Sequence, residues 1–276
     1  MKDGYKIFAN HAHIFPPEAA QGRGIPELKS LMDGLGIDKA VCFACFPDRF
    51  EESLLPGTSN DWLANAIKNE PNLYGFGVID FNRRDLEAQV EHIYDLGFKG
   101  IKLHPAYQEF NLMGDEARRI YRKAQELNLF LSFHTGIHWH RISDYNTLLY
   151  DEIAWHYPTL RFSMEHIGGY AFFREALAVL ANNSRSEKPH VFAGWTSIDY
   201  PDGGKIPGNW TISDEQLLAL LNMIGCETSM FGLDFPYARE NRLGPAIDRI
   251  INLPISENAK QAILGGNLAR ELGVEL

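Results

Sequence analysis

Residues 100–134 read GIKLHPAYQEFNLMGDEARRIYRKAQELNLFLSFH, and this stretch contains the repeat that decides the fold. The short apolar run from Gly100 to His104 predicts a strand, and so does the run from Leu129 to His134. Between them, Asp115 to Leu127 has the periodicity of a helix, with acidic residues at its start that suit the helix dipole. A strand, a helix and a second strand in this order favour a parallel sheet packed under helices.

Similar apolar runs recur along the chain at a spacing of roughly 30 residues, and we count about eight. A TIM barrel requires eight strands, and about 250 residues divided over eight strand-helix units give this spacing. An open, doubly wound sheet is the alternative, but no glycine-rich phosphate loop follows the first run. We therefore predict an α/β fold, a (β/α)8 TIM barrel formed by a single domain over residues 1–276. The predicted strands are Lys6–Asn10, Lys39–Phe46, Leu73–Ile79, Gly100–His104, Leu129–His134, Arg161–His166, His190–Trp195 and Thr228–Leu233.

The connections between these elements contain start, stop and loop signals. Residues 213–216 form a capping box ahead of an apolar helical run, and Gly225 supplies the stop. Two connections, Pro47 to Asn60 and Thr196 to Ile212, are longer and rich in turn residues. Both follow predicted strands, so we expect them to rise over the catalytic face of the barrel and to shape a substrate pocket.

Composition and charge exclude several classes of protein. The chain of 276 residues is 45% hydrophobic and 22% charged, which is typical of a globular protein with a large core. Its formal charge of -10, from 26 basic and 36 acidic residues, argues against nucleic-acid binding. The first residues have no continuous apolar stretch, so we expect no signal peptide, no membrane span and a cytoplasmic location.

The three cysteines, Cys42, Cys45 and Cys226, are too few and too odd in number for a disulfide framework. Cys42 and Cys45 lie three residues apart in a predicted strand, so their side chains should point to opposite faces. We interpret them as small buried hydrophobic residues rather than as a metal or redox pair.

Polar residues stand at the ends of several predicted strands. His11 and His13 follow the first strand two residues apart, a spacing that points both imidazoles the same way. His134, His166 and Asp234 stand at the ends of later strands, and barrel enzymes place their chemistry at these carboxyl ends. A single histidine with one hydrogen bond is ordinary in a protein core. Such isolated core histidines do not explain why several strands end in polar residues at the same face of the barrel. Three histidines and an aspartate would give a divalent cation an open, nitrogen-rich site.

This order of motifs resembles the amidohydrolase superfamily. The resemblance rests on the H-x-H after the first strand, the histidines after the fifth and sixth, the aspartate after the eighth, and the closing run Ile263–Gly273. The branch that is similar to this chain includes aminocarboxymuconate-semialdehyde decarboxylase, related aromatic-acid decarboxylases and several lactone hydrolases.

The resemblance implies roles for these residues. His11, His13, His134 and Asp234 would be the ligands of one divalent metal ion, with zinc favoured and manganese, iron or cobalt also acceptable. His166 would lie close to the metal-bound water or the substrate, polarising it, or would bind a second ion. Asp234 would also accept the proton of the attacking water.

Lys102 and His104 bear on the metal count and on substrate binding. Two-metal members of the superfamily carry a carboxylated lysine after the fourth strand, and here Lys102 lies in that strand with His104 at its end. Both side chains should point inward, with Lys102 one layer deeper. We favour one metal ion and a Lys102 that binds a substrate carboxylate; carbamylation of Lys102 beside a second ion is the alternative.

Further residues are candidates for contact with the substrate. Arg141 would clamp a carboxylate, because a guanidinium pairs bidentately with planar anions. Trp195 ends the seventh strand and, with Trp210, would form an aromatic wall for a ring substrate. His138 and His140 belong to a loop that should overhang the site.

The predicted activity is hydrolysis of a lactone, ester or amide bond of a small molecule by metal-activated water. Decarboxylation of an unsaturated or aromatic acid at the same site is the nearer alternative, and a non-catalytic binding or regulatory barrel is the more distant one. The expected partner is the small-molecule substrate, and the sequence leaves the formation of a homo-oligomer open.

Overall fold

The computed structural model describes residues 1–184, 189–199 and 208–276. In this part of the chain eight parallel strands follow one another in sequence order, and the last pairs with the first to close a barrel. The prediction of a single-domain TIM barrel is confirmed. The strands are β1 Phe8–Ile14, β2 Lys39–Ala44, β3 Leu73–Val78, β4 Gly100–Leu103, β5 Phe130–His134, β6 Phe162–Glu165, β7 Val191–Thr196 and β8 Ser229–Phe235.

Helices alternate with the strands and surround the barrel. Most of them cover it from outside, and a π-helical turn, Ala262–Gly266, joins the last two. Short 3-10 turns are present at Ile142–Asp144 and His166–Gly168. The α-helices of the described residues are α1 Ile25–Leu35, α2 Pro47–Glu51, α3 Ser59–Ile67, α4 Leu86–Asp95, α5 Asp115–Glu126, α6 Leu149–His156, α7 Gly169–Asn183, α8 Asp214–Ile224, α9 Glu240–Asn252, α10 Glu257–Gln261 and α11 Asn267–Leu272.

Local sequence signals explain where α8 begins and ends. Ser213 Oγ accepts a hydrogen bond from the backbone N–H of Gln216 at 3.2 Å, and the Gln216 side chain accepts one from the backbone N–H of Ser213 at 2.8 Å. This reciprocal pair satisfies two of the N–H groups that a helix start leaves without intrahelical partners. Gly225 ends the helix with a φ of 79°, a value that glycine adopts without strain. The predicted capping box and stop are confirmed.

Strand parity divides the apolar residues of the barrel into two layers. In β5, Phe130 packs inside the barrel, whereas Leu131 and Phe133 pack against the surrounding helices. The inward residues form an interior plug, and Leu268 and Leu272 of α11 pack against it. The interior plug consists of Phe8, Val41, Phe43, Phe76, Phe130, Phe192 and Met230. Because these side chains fill the lower barrel, polar inward residues are confined to the upper part.

Two strands extend further than the sequence analysis predicted. β1 reaches Ile14 and β8 reaches Phe235, so His11, His13 and Asp234 lie within strands rather than after them. The prediction that His11 and His13 follow the first strand was therefore wrong in its boundary. The pairing of β1 with β2 shifts its register before Ala12, which allows the strand to continue past the first histidine.

The two long connections differ from the prediction in one respect. Residues 47–60 are not an irregular loop, because they contain α2 and the first residues of α3. The other connection includes residues 200–207, which lie outside the described part of the chain. None of the helices in the described residues combines the length and apolar character that crossing a membrane demands.

Candidate metal centre and active site

A bulge in β1 brings two histidines to one point inside the barrel. The register shift lies between Ala9 and Ala12, and His11 has a φ of 69°. A regular strand would turn successive residues to opposite faces, whereas the bulge lets both Asn10 and His11 point inward. His13, two residues on, reaches the same place, and its Nε2 lies 3.1 Å from Nε2 of His11.

Asp234 completes a group of potential metal ligands with these two histidines. Its Oδ1 lies 3.4 Å from His11 Nε2 and 4.0 Å from His13 Nε2. Its Oδ2 accepts a hydrogen bond from the Ser197 hydroxyl at 2.9 Å, which fixes the orientation of the carboxylate. The ligand atoms of His11, His13 and Asp234 all lie within 4.8 Å of one another, a spacing that a single cation would span.

His134 and His166 form a second pair in the same region, because the His11 and His166 ring centroids are 5.2 Å apart. His134 Nε2 donates to the Gly136 carbonyl at 2.7 Å, and His166 Nδ1 donates to the Thr196 carbonyl at 2.7 Å. A carbonyl only accepts, so the lone pairs of the neutral rings lie on His134 Nδ1 and His166 Nε2. These two atoms are 3.1 Å apart, and their lone pairs repel unless they share a cation or a proton.

Glu165, which no sequence motif singled out, sets the tautomer of His11. Its carboxylate is fully buried, and Oε2 lies 3.1 Å from His11 Nδ1. A carboxylate accepts, so His11 donates from Nδ1 and keeps its lone pair on Nε2, facing His13 and Asp234. Four further side chains donate to the same carboxylate: Asn10, Ser132, Ser163 and Thr196.

Local packing leaves room for Glu165 because residue 194 is a glycine. A Cβ at Gly194 would collide with the carboxylate carbon and both carboxylate oxygens of Glu165. The signal for Glu165 was present in the sequence, because Ser163 and Glu165 alternate with the apolar Phe162 and Met164 along β6. Such alternation predicts polar side chains inside the barrel, although it does not say which partner they meet.

Burial dominates the electrostatics of the centre. It lowers the pKa of His11, His13, His134 and His166 well below the ordinary value for histidine, and nearby Lys102 adds to this effect. The four rings are therefore neutral at pH 7, and each offers one lone pair. Burial raises the pKa of Asp234 to about 6, against the opposing effect of the hydrogen bond from Ser197.

The donor set fits a divalent metal ion. Imidazole lone pairs and a carboxylate oxygen converge in the upper barrel, which is the chemistry that zinc and manganese accept. A shared cation would also explain the 3.1 Å approach of His134 Nδ1 and His166 Nε2, which both carry lone pairs. The ligand atoms that the structure brings together are those of His11, His13 and Asp234, and this group does not include His134, the fourth predicted ligand. His134 approaches the region through Nδ1, which lies 3.1 Å from His166 Nε2.

Several residues of the centre have strained backbones. His11, His166, Ser197 and Asp234 have φ values of 69°, 67°, 52° and 56°, a region that residues other than glycine rarely adopt. Such conformations persist only where the surrounding structure enforces them, and they cluster at functional sites. Their coincidence here supports the interpretation of this region as the functional centre.

Lys102 points inward below His104, as the strand parity predicted. Its side chain is fully buried, with Nζ 3.4 Å from His11 Nε2 and 5.2 Å from the centre of the Phe43 ring. Burial lowers the pKa of Lys102 to about 8, and the carboxylates of Glu165 and Asp234 oppose this shift. The amine therefore lies against the candidate metal centre rather than in the wall of the substrate cavity.

A cavity of about 380 Å³ opens above the centre, and we call it the central cavity. Its wall combines predicted site residues with aromatic side chains and with two arginines that no sequence motif predicted. Arg23 follows β1 and Arg49 lies in α2, so only the folded chain brings them together. The lining residues are His13, Phe15, Arg23, Cys45, Phe46, Arg49, His104, Tyr107, His134, His138, Trp210, Asp234 and Tyr237.

Two of the predicted substrate contacts lie elsewhere. Arg141 is exposed and lines a separate surface pocket with Asn111 and Asp144. Trp195 is buried among the residues that face the helices, because its neighbours Gly194 and Thr196 take the inward positions of β7. Neither side chain lines the central cavity, so the structure does not support the carboxylate clamp or this part of the aromatic wall.

Trp210 and the histidines of the loop after β5 do reach the site. The Trp210 ring stacks on His166 with centroids 4.2 Å apart, and its Nε1 donates to the Ile137 carbonyl at 2.8 Å. His138 lines the cavity, and its ring nitrogen groups with those of His104 and His140 within 4.8 Å. Aromatic rings thus cover the site, as the sequence analysis expected of this loop.

The fold and the site together define a class: a TIM-barrel protein with a buried histidine and aspartate group of metal-binding type at the carboxyl ends of its strands. The chain belongs to the amidohydrolase family, whose model matches residues 11–274. The resemblance seen in the sequence is confirmed at this level. A comparison with curated proteins gives no match.

Solved structures of similar fold include a putative hydrolase and several decarboxylases. A putative 2-pyrone-4,6-dicarboxylic acid hydrolase from Pseudomonas putida has 19% identity and a TM-score of 0.71, covering 99% of each chain. A 5-carboxyvanillate decarboxylase from Sphingomonas paucimobilis has 16% identity and a TM-score of 0.72, covering 99% of this chain and 100% of that one. The corresponding enzyme of Novosphingobium aromaticivorans, with bound manganese, has 18% identity and a TM-score of 0.72, covering 99% and 98%. At these identities the similarity shows the fold alone.

Proposed function

We propose that the protein is a metal-dependent hydrolase that cleaves a lactone, ester or amide bond of a small molecule. The observation that supports this most directly is the convergence of imidazole lone pairs on Asp234, a carboxylate whose pKa burial raises to about 6. A carboxylate with a pKa near neutrality is a suitable general base, because it is largely ionised at pH 7 and still accepts a proton readily.

His11, His13, His134 and Asp234 are the proposed ligands of one divalent ion, with zinc favoured. A bound ion of this kind supplies Lewis acidity and lowers the pKa of a coordinated water toward about 7. Asp234 would accept the proton of the attacking water at Oδ1, because Ser197 already occupies Oδ2. His166, held through Nδ1 by the Thr196 carbonyl, would orient the water or substrate through Nε2.

The residues around the centre would perform the remaining tasks. Glu165 holds His11 in the tautomer that metal binding needs. Trp210 covers His166 and limits the access of bulk water to that side of the site. Phe46, Tyr107 and the other aromatic residues of the central cavity would pack against a planar substrate.

Decarboxylation of an unsaturated or aromatic acid is the second candidate, and one observation favours it. Arg23 and Arg49 line the central cavity and offer anchors for a departing carboxylate. Lys102 and Arg141, the anchors predicted from the sequence, do not line this cavity. The same arginines would also bind the carboxylate of a substrate that is hydrolysed at another bond, so the hydrolase proposal stands first.

A substrate screen with the metal-loaded protein tests the proposal. The panel contains lactones, esters and amides, with and without a carboxylate, alongside aromatic and muconate-type acids. We expect hydrolysis of at least one class, and loss of that turnover in Asp234→Asn. Carbon dioxide release from an acid, with every hydrolysable compound untouched, would replace hydrolysis by decarboxylation. Turnover that persists after removal of the metal would contradict both.

A further inference from the structure

His104 is held rigidly in the wall of the central cavity. It follows β4, and only 6% of the surface of this residue is exposed. Its ring lies parallel to that of His134, with centroids 3.9 Å apart and an interplanar angle of 8°. The backbone is fixed as well, because His104 N donates to the Gln108 side chain at 2.8 Å. The ring therefore presents one definite edge to the cavity.

One hydrogen bond determines which ring nitrogen of His104 carries the proton. The backbone N–H of Tyr107 donates to His104 Nδ1 at 3.2 Å. A backbone N–H cannot accept, so the lone pair of the imidazole lies on Nδ1. An imidazole that accepts a hydrogen bond at Nδ1 is not doubly protonated, so the ring carries one proton. The single ring proton therefore lies on Nε2, and Nε2 is a donor.

This donor has no acceptor among the described residues. His104 Nε2 is buried without a hydrogen-bond partner, a state that costs free energy unless a ligand supplies an acceptor. The neighbouring rings of His138 and His140 invite a different interpretation, because three imidazoles within 4.8 Å resemble a second metal site. Ligation through His104 Nε2 would need a lone pair there, and the Tyr107 N–H places the lone pair at Nδ1 instead.

We propose that His104 Nε2–H is a specificity-determining hydrogen-bond donor for a carboxylate oxygen of the substrate, and that His104, His138 and His140 hold no second metal ion. The inference rests on the proposed function, because it assigns the donor to the substrate of that site. A carboxylate is the acceptor that uses this donor best, since a charged acceptor strengthens the hydrogen bond. Arg23 and Arg49 line the same cavity and favour the same charge.

The first test is spectroscopic and needs no turnover. Nitrogen-15 NMR of the zinc-loaded protein with labelled histidine distinguishes the protonated from the unprotonated ring nitrogen of His104. We expect a protonated Nε2, and a shift of its proton resonance when benzoate is added as the probe. An unprotonated Nε2, or a wild-type protein that does not bind benzoate, would overturn the proposal.

The second test compares matched variants by benzoate affinity and zinc content. His104→Phe keeps a ring against His134 and removes the donor, so benzoate should bind about tenfold more weakly or worse. His104→Gln restores an N–H near the Nε2 position and should recover most of the affinity. His140→Phe is the control, because it alters the cluster without touching the donor, and its affinity should stay close to that of wild type.

Zinc content separates the donor from a second metal site. We expect one equivalent of zinc in all four proteins. A second equivalent in wild type that disappears in both His104→Phe and His140→Phe would refute the inference, and so would unchanged benzoate affinity in His104→Phe. Failure of the hydrolase proposal would appear in the substrate screen instead, because benzoate binding and the tautomer of His104 do not depend on turnover.

Discussion

Replacing Gly194 by alanine should disrupt the candidate metal centre from a distance. The new Cβ would collide with the Glu165 carboxylate, which cannot swing aside because it accepts hydrogen bonds from five side chains around it. Overpacking of this kind costs about 1–3 kcal/mol, and each lost hydrogen bond to a charged group costs about 1.5–3 kcal/mol. We therefore expect the free energy of unfolding to fall by about 3 kcal/mol or more.

The same change should weaken metal binding, because a displaced Glu165 no longer holds the tautomer and orientation of His11. Loss of such a supporting contact typically reduces metal affinity by about 10–100-fold. Differential scanning calorimetry measures the first effect, and we expect the Tm to fall by about 6 °C or more. Competition with a zinc chelator measures the second.

Gly34→Ala provides the matched control. A Cβ at Gly34 would meet only the flexible side chain of Glu240 at 3.4 Å, and its helical position favours alanine by about 0.5–1 kcal/mol. The control should match or exceed wild-type stability and bind zinc normally. A Gly194→Ala protein with wild-type Tm and zinc affinity would refute the role assigned to Glu165.

The remaining predictions concern the metal and the ionisable groups. Protein purified without added metal should contain about one divalent ion per chain by elemental analysis, and absence of any ion with no uptake of zinc, manganese or cobalt would contradict the proposed centre. His134→Ala and Asp234→Asn should abolish activity with little change in unfolding, and metal content should fall most in the histidine variant; wild-type turnover in either would show a misassigned site. Lys102 should be unmodified, so a crystal structure at metal-edge wavelengths should show one ion, and a carbamate beside two ions would contradict this. In metal-free protein the free energy of unfolding should decrease as pH falls below about 6.5, because burial lowers the pKa of the centre's histidines and only the unfolded chain takes up those protons. The raised pKa of Asp234 opposes this trend, since the folded state takes up that proton first, but it is one group against several; urea titrations at several pH values should show the net decrease, and a flat profile would contradict it.

The barrel could be predicted because its signal is local and repeated. Each apolar run such as Leu129 to His134 contains its own strand signal, and eight of them at even spacing leave few architectures open. The inward direction of Lys102 also followed from parity alone. The predicted cavity position of Trp195 conflicts with this parity. Its side chain lies one position out of phase with the inward Gly194 and Thr196 and so faces the helices.

The features that could not be predicted from the sequence depend on contacts between residues that are distant along the chain. The bulge that turns His11 inward has no sequence signature. It arises because the pairing register of β1 shifts against both of its neighbours, β2 and β8. Arg23 and Arg49 reach the central cavity from segments that are distant along the chain, so no spacing rule links them. Glu165 sits on the expected face of β6, but its five partners come from three other strands and from β6 itself.

The interior plug also determines how molecules travel to and from the site. In the described part of the chain, Phe8, Phe43, Phe130 and their neighbours fill the barrel below the centre, and α11 packs beneath them. Substrate must therefore enter and product must leave by one shared mouth. A retained product blocks the next arrival, so inhibition by product should be competitive with substrate. A single entrance also limits the enzyme to compounds that fit end-on, and it excludes chains that would have to thread through the barrel.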